Sequence, residues 1–555
     1  MPDWSYRTFL QPLLCALGRE RGRRVAVATL GRLARTPFGP ALIDFLGHMR
    51  ADERLRVTAG GIELPGPIVL GAAVDPRGEA LKAFSRFGVG LVEVGPVDER
   101  MDDVVRNLER ANVPVAVRIG ATDPAAIRRI VQRLEPHATM FVVETREQLE
   151  AAQGTRPVAL RVSEESLPAA RDAGAILIAG GVTNPADAKR LLDAGATLVA
   201  IDESLISSGP GLPKRCNEAL LSAMATTAAT PEPLSLDAAK RAWFWALLLG
   251  ASMFAGGVLA AILAATRVVL PYDESLCGMT RAQLATLNPR LLPFMAHDRM
   301  SLAGTMLSLG IFYAALAWSG IRRGAHWAHV TVIVSAITGT LSFFSFLGFG
   351  YFDPFHAFVT AILTQFVLLC MVLPGALTPA APPEHVDWRE TAAWRRGQWG
   401  QLLFVMTGVA ITGAGLVILS IGSTSVLVDT DVAFLRTTAA QLRLSYDQLV
   451  PLIAHDRASL GGMLIANGLA IWLAAQWGFR AGARWLWLAL AWGGNIAFAC
   501  ANGVHFVVGY VSPLHLAPAV IGWIVWNVAL LLSYEWLVAR TRVVMPRTVI
   551  ARLWP

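Results

Sequence analysis

The tetrapeptide Ala-His-Asp-Arg occurs twice, at 296–299 and 454–457. Each copy sets an imidazole (His297, His455), a carboxylate (Asp298, Asp456) and a guanidinium (Arg299, Arg457) side by side. Downstream of each, a Gly-Tyr-x-x-Pro-x-His pattern adds a further histidine, His356 and His515. Two neutral imidazoles brought together could bind a metal or a haem, and an adjacent carboxylate could orient one ring. The same polar groups could hold a ligand such as a quinone headgroup. The simplest reading is structural: Asp298 and Asp456 as helix N-caps, Arg299 and Arg457 as interfacial anchors that snorkel toward headgroups. The five cysteines (Cys15, Cys216, Cys277, Cys370, Cys500) are scattered without a CxxC pair, so no metal set is expected from them.

The elements around these groups are greasy. Hydrophobic residues make up 54% of 555 and charged residues 16%, against about a quarter charged in soluble domains. A bilayer core takes roughly 20 apolar residues as helix. Eight segments qualify: Trp243–Thr266, Met300–Ile321, Trp327–Phe349, Phe355–Leu377, Gln401–Leu419, Ala458–Phe479, Trp485–Val504 and Leu514–Val538. They form two copies of a four-helix unit: LPFMAHDRMSLAGTMLSLG (292–310) aligns with VPLIAHDRASLGGMLIANG (450–468) at an offset of 158. After one inserted residue, Gly350-Tyr351, Pro354 and His356 match Gly509-Tyr510, Pro513 and His515. An even helix count makes the copies parallel, related by an axis along the membrane normal. Within each unit, His297 and His356, and likewise His455 and His515, are expected at the outer helix ends.

Lys240, Arg241, Arg322, Arg323, Arg389, Arg395, Arg396, Arg480, Arg484 and the C-terminal Arg540, Arg542, Arg547 and Arg552 fall on one side of this topology. The positive-inside rule makes that side cytoplasmic, with both termini inside a cell (inner) membrane. The N-terminus lacks a signal-peptide plan. The net charge of +7 comes largely from residues beside the apolar runs, so the expected partner is the lipid bilayer and no nucleic acid.

Residues 57–222 alternate short strands with amphipathic helices. Strands are predicted at Ile68–Gly71, Leu91–Gly95, Val113–Ile119, Thr139–Val143, Val158–Val162, Ala175–Ala179 and Thr197–Ile201. Such alternation implies a parallel sheet, and the number of units favours an incomplete or compacted TIM-like β/α barrel, one strand short of closure. The fold class is therefore α/β plus an all-α polytopic membrane part. The expected division is N-terminal amphipathic helices over 1–56, the barrel over 57–225, a linker over 226–240, membrane units over 241–380 and 401–555, and a cytoplasmic linker over 381–400.

VLGAAVDPRGEALKAFSRFGVGLVEVGPV (69–97) resembles the first barrel segment of quinone-dependent dihydroorotate dehydrogenases. ILIAGGVTNPADAKRLLDAGATLVAIDESLISSGPGL (176–212) resembles that family's FMN-phosphate region, and residues 4–39 are similar to its membrane-associated N-terminal helices. The resemblance covers about the first two-fifths of the sequence. It implies FMN as cofactor, held at Gly180, Gly181 and Ser204, and quinone as electron acceptor. The family's working residues are replaced, however. Its Asp-Lys-x-Gly-Glu is here Asp75-Pro76-Arg77-Gly78-Glu79. Its strand Asn becomes Arg118, its Val-Ala-Val-Lys lysine becomes Arg161, and VVETREQLEAA (142–152) carries no serine base. The second phosphate loop is Asp202-Glu203-Ser204, whose carboxylates would repel a phosphate or occupy a helix N-terminus themselves.

Three functions are compatible with these residues. The chain is a membrane protein whose barrel has lost catalysis and senses or docks, with no bound cofactor; or an FMN-dependent oxidoreductase passing electrons to quinone; or a transporter built on the two parallel repeats.

Overall fold

The computed structural model describes residues 3–49, 52–98, 102–108, 114–171, 174–224, 236–344, 354–375 and 388–538. The linker at 226–233, Gly350-Tyr351, most of the segment between the two repeats and the four C-terminal arginines lie outside the described residues. Two compact units result: one holds 3–224 and 388–392, the other 236–375 and 393–538.

The first unit is a closed barrel. A hairpin of β1 (Val57–Ala59) and β2 (Ile62–Leu64) turns on Gly60 and Gly61, whose φ of +59° and +79° suit a tight two-residue turn. Seven parallel strands follow: β3 (Ile68–Leu70), β4 (Leu91–Val97), β5 (Val115–Ile119), β6 (Met140–Val143), β7 (Val158–Val162), β8 (Ile176–Ala179) and β9 (Leu198–Ile201). β9 pairs back onto β3, with Ile68 opposite Val199, so seven strands close and the expected gap does not exist. Strand periodicity explains how. Val69, Leu91, Ala116, Met140, Ala159, Ile178, Leu198 and Ala200 point inward and pack on Ala59 and Leu64 of the hairpin. Three of these inward residues are alanines, which suits the narrower interior of a seven-stranded barrel. The alternate residues, among them Ile68, Leu70, Val92, Val94, Val117, Phe141, Leu160 and Val199, face the surrounding helices.

The second unit repeats six helices. The first copy has α1 (Ala242–Thr266), α2 (Pro271–Cys277), α3 (Arg281–Leu287), α4 (Leu291–Ala315), α5 (His326–Phe344) and α6 (Pro354–Val372). The second has α7 (Ala392–Ser423), α8 (Asp429–Leu435), α9 (Ala439–Ser445), α10 (Leu449–Gly478), α11 (Arg484–Val508) and α12 (Pro513–Leu537). The stretch expected as an outer loop thus contains two short helices per copy, and α3 and α9 each start on a Thr/Gln capping box, Thr280/Gln283 and Thr438/Gln441. α4 packs on α1, α10 and α11, and α10 packs on α5. The α4–α11 and α10–α5 contacts exchange under the duplication, as a pseudo-two-fold axis through the α4–α10 contact requires.

Among the described residues, six helices are long and apolar enough to cross a membrane: α1, α4 with its extension to Arg323, α6, α7, α10 and α12. α5 and α11 form where the other two spans were expected but are not among these six. Apolar side chains such as Phe254, Leu259, Ile262, Leu416, Val417, Ile521, Ile524 and Leu531 lie exposed along the spans, the surface a lipid solvent would cover.

Candidate functional site

The mouth of the barrel is filled by charge. Above the inward Leu91, Ala116, Ala159 and Ala200, the next positions in the alternation are Glu93, Arg118 and Arg161 on the same strands and Asp202 just past the end of β9. Arg161 donates from one nitrogen to Glu93 (2.6 Å) and from the other to both oxygens of Asp202 (2.8 and 2.6 Å). Arg118 donates to the other Glu93 oxygen at 2.8 Å, and the Ala72 amide donates to Glu93 at 3.2 Å. Glu93 is fully buried, and two cations against two carboxylates leave the layer neutral. Burial opposes the charge on Arg118, but the hydrogen bond and field of Glu93 outweigh it and raise its pKa above the ordinary guanidinium value. Glycine makes room here: a Cβ on Gly71 would sit 2.0 Å from an Asp202 oxygen.

The three positions expected to cradle a phosphate lie at this mouth. Gly180 directly follows β8, and a Cβ on it would stand 3.2 Å from the Arg161 guanidinium; Gly181 takes φ +91°. Ser204 spends its hydroxyl on the Val182 carbonyl (2.5 Å). Asp202 turns to Arg161 and Glu203 pairs with Arg19, so neither side chain caps the helix Ser204–Ser208. Glu93 escaped the sequence reading, although a carboxylate inside the apolar strand LVEVGPV was a visible signal.

The repeated tetrapeptides form a second cluster. α4 and α10 begin at Leu291 and Leu449, so Asp298 and Asp456 lie two turns inside helices and cap nothing. Nor do Arg299 and Arg457 reach outward. Arg299 donates to Asp456 (2.8 Å) and Asp273 (2.8 Å), while Arg457 donates to Asp298 (3.1 Å) and Asp431 (2.6 Å). Each also donates to a carbonyl, of Val268 and Val426 respectively. Those valines hold φ of +67° and +64°, a strained setting for a β-branched residue, kept in both copies where arginine grips the backbone.

The histidines pair across the copies rather than within them. His297 meets His505 and His515 of the second copy, with ring centroids at 4.4 and 5.4 Å. His455 meets His356 of the first, at 6.1 Å. His297 Nδ1 lies 2.9 Å from Asp298 and its Nε2 lies 3.3 Å from His505 Nε2. His505 Nδ1 lies 3.2 Å from the Tyr510 carbonyl, and the Tyr510 ring stacks on His515 at 4.6 Å. One nitrogen from each of His297, His505 and His515 lies within 4.8 Å of the other two. The sequence reading missed His505 because its position carries no histidine in the first copy.

Over 92 residues, 17% of this chain, the sequence is 38% identical to the dihydroorotate dehydrogenase (quinone) of Deinococcus deserti. Over 94 residues it is 36% identical to the enzyme of that name from Chloroflexus aurantiacus. The chain spans about a quarter of the length of these relatives (25% and 26%). Among solved structures, ligand-free DHODH from Eimeria tenella matches 34% of this chain and 94% of its own, at 16% identity and a TM-score of 0.29. The same protein in complex with ferulenol matches 32% and 86%, at 17% identity and a TM-score of 0.27. No protein-family model matches the chain. The N-terminal part is thus a dihydroorotate dehydrogenase-like barrel, joined to a helical part with six helices able by length and composition to cross a membrane.

Proposed function

We propose that the barrel has lost dehydrogenase chemistry and serves as a cytoplasmic sensing or docking module of a multi-pass protein of the cell membrane, with both termini inside. The observation carrying this reading is the Glu93–Arg161–Asp202 network. A flavin phosphate at the Gly180-Gly181 turn would meet the Asp202 carboxylate, and to pair with Arg161 it would have to displace that carboxylate. The residues present therefore do not fit FMN. Proton abstraction needs a placed base, and the side chains at this mouth are committed to one another. The test is direct: full-length protein purified in detergent should be colourless, take up no FMN on titration, and fail to rescue a pyrimidine auxotroph. A yellow preparation with stoichiometric flavin would overturn the reading.

The alternative, a flavin oxidoreductase that reduces quinone, draws on a different observation. A cavity of about 360 Å³ lies between the N-terminal helix residues Gly31, Ala34 and Arg35 and the segment Gly78–Lys82. Phe9, Leu10, Leu13, Leu17 and Phe38 on the same N-terminal helices are exposed, as a segment resting on lipid would have them. Quinone binding in that cavity without flavin would keep the cavity and discard the redox reading. The transporter alternative rests on the two-fold arrangement of α4 and α10 alone.

A further inference from the structure

We propose that His297, His505 and His515 bind one divalent first-row transition metal ion of the zinc or copper type through three imidazole nitrogens. The site lies in the helical unit and stands independently of the barrel's role.

The hydrogen bonds fix the tautomers. His297 Nδ1 faces a carboxylate oxygen of Asp298 at 2.9 Å, and His505 Nδ1 faces the Tyr510 carbonyl at 3.2 Å, so each Nδ1 carries the ring proton. The two Nε2 lone pairs then face each other at 3.3 Å. Two acceptors at that separation repel unless a cation lies between them. A tetrahedral ion with metal–nitrogen bonds of roughly 2.0–2.1 Å sets adjacent ligand atoms about 3.3 Å apart. A carboxylate and a backbone carbonyl behind the ligating rings are also the partners that metal-bound histidines ordinarily have. His515, braced on Tyr510, supplies the third nitrogen.

Charge points the same way. The surrounding cluster holds Asp273, Asp298, Asp431 and Asp456 against Arg299 and Arg457, four carboxylates to two guanidiniums, with all four carboxylates buried. Two negative charges are left over, which a divalent ion offsets while its imidazole ligands stay neutral. Two axial nitrogens on a haem iron stand about two metal–nitrogen bonds of roughly 2.0 Å apart, more than the 3.3 Å between the Nε2 atoms of His297 and His505. The duplication supplies an internal reference. With the one-residue insertion, His505 aligns with Phe346, so the other copy offers only His455 and His356. Three imidazoles with an open fourth position favour the later members of the divalent series over magnesium or calcium, which take oxygen ligands.

The experiment uses full-length protein in detergent, stripped with chelator and titrated with Co²⁺ alone. We expect one equivalent with the visible bands of a tetrahedral centre, lost by at least about 100-fold in affinity in His505→Phe and His515→Gln and kept in His356→Gln. Absorption-edge fine structure on the wild type, which needs no variant to fold, should count three imidazoles at roughly 2.0–2.1 Å. Wild type that takes up no stoichiometric Co²⁺ would mean that a shared proton joins His297 and His505, and would overturn the proposal. So would a metal shell without imidazoles, a haem spectrum, or uptake unchanged by both substitutions.

Discussion

Glu93 balances two arginines with one carboxylate that has no access to water. Glu93→Gln would leave Arg118 and Arg161 inside the barrel without the carboxylate they share, and breaking a buried pair in this way costs about 3 kcal/mol or more. Cys216 offers a local readout: it is fully buried, and burial pushes its thiol up to about 12. In native protein at pH 8, alkylation should reach the exposed Cys15 and spare Cys216. Glu93→Gln should speed Cys216 labelling on the order of 100-fold, since labelling follows the opened population. Equal rates by mass spectrometry would show the network to be dispensable.

Asp75 gives a pH dependence. Its oxygens accept from the Glu79 and Ala80 amides (2.9 and 2.8 Å), yet burial raises its pKa above the ordinary carboxylate value. A raised folded pKa means that its stabilising share is full below the ordinary range and is lost as pH rises through the raised value. The melting-temperature advantage of wild type over Asp75→Asn should therefore shrink as pH rises above the ordinary carboxylate range; a constant gap would contradict the sign.

Helix contacts in the second unit depend on glycine at seven-residue spacing. Gly408, Gly415 and Gly422 on α7 face Gly461 and Gly468 on α10, and Gly250 and Gly257 on α1 face α4 in the same way. Small residues let helix backbones approach closely where lipid gives no hydrophobic push. A Cβ on Gly415 would lie 2.6 Å from the Gly461 carbonyl oxygen, whereas one on Gly413 meets nothing within 4 Å. Gly415→Leu should cost about 1–3 kcal/mol and lower the melting temperature in detergent, with Gly413→Leu nearly silent. Arg299→Ala strips Asp456 and Asp273 of their shared partner, at a cost of about 3–5 kcal/mol. Adding Asp456→Asn should recover part of that loss, and simple additivity in the double variant would refute the coupling.

At the scale of the whole molecule, the protein should stay with membranes through an alkaline wash and need detergent for release. The proposed orientation is tested with cysteines at two exposed positions. Ala285→Cys on α3 should react with an impermeant maleimide in intact cells, and Arg484→Cys at the start of α11 only after permeabilisation. The reverse pattern would invert the topology.

The sequence by itself determined the duplication, all seven barrel strands and, among the described residues, six of the eight expected spans, because hydrophobic runs and strand alternation are local properties of the chain. It also located Arg118, Arg161 and Asp202 as departures from the resembling family, though not their mutual bonds. Closure on seven strands was decided in three dimensions: it depends on how small the inward side chains of separate strands are when they meet, and Ala116, Ala159 and Ala200 lie 41 to 84 positions apart. The same holds for the histidines. Repetition implied equivalent partners within each copy, but the packing of α4 on α11 joined His297 to His505 and His515 instead. The starts of α4 and α10 at Leu291 and Leu449 made Asp298 and Asp456 buried partners of arginine instead of helix caps. Which polar groups share a buried site is settled by which helices cross, and a linear pattern records each helix but not its neighbours.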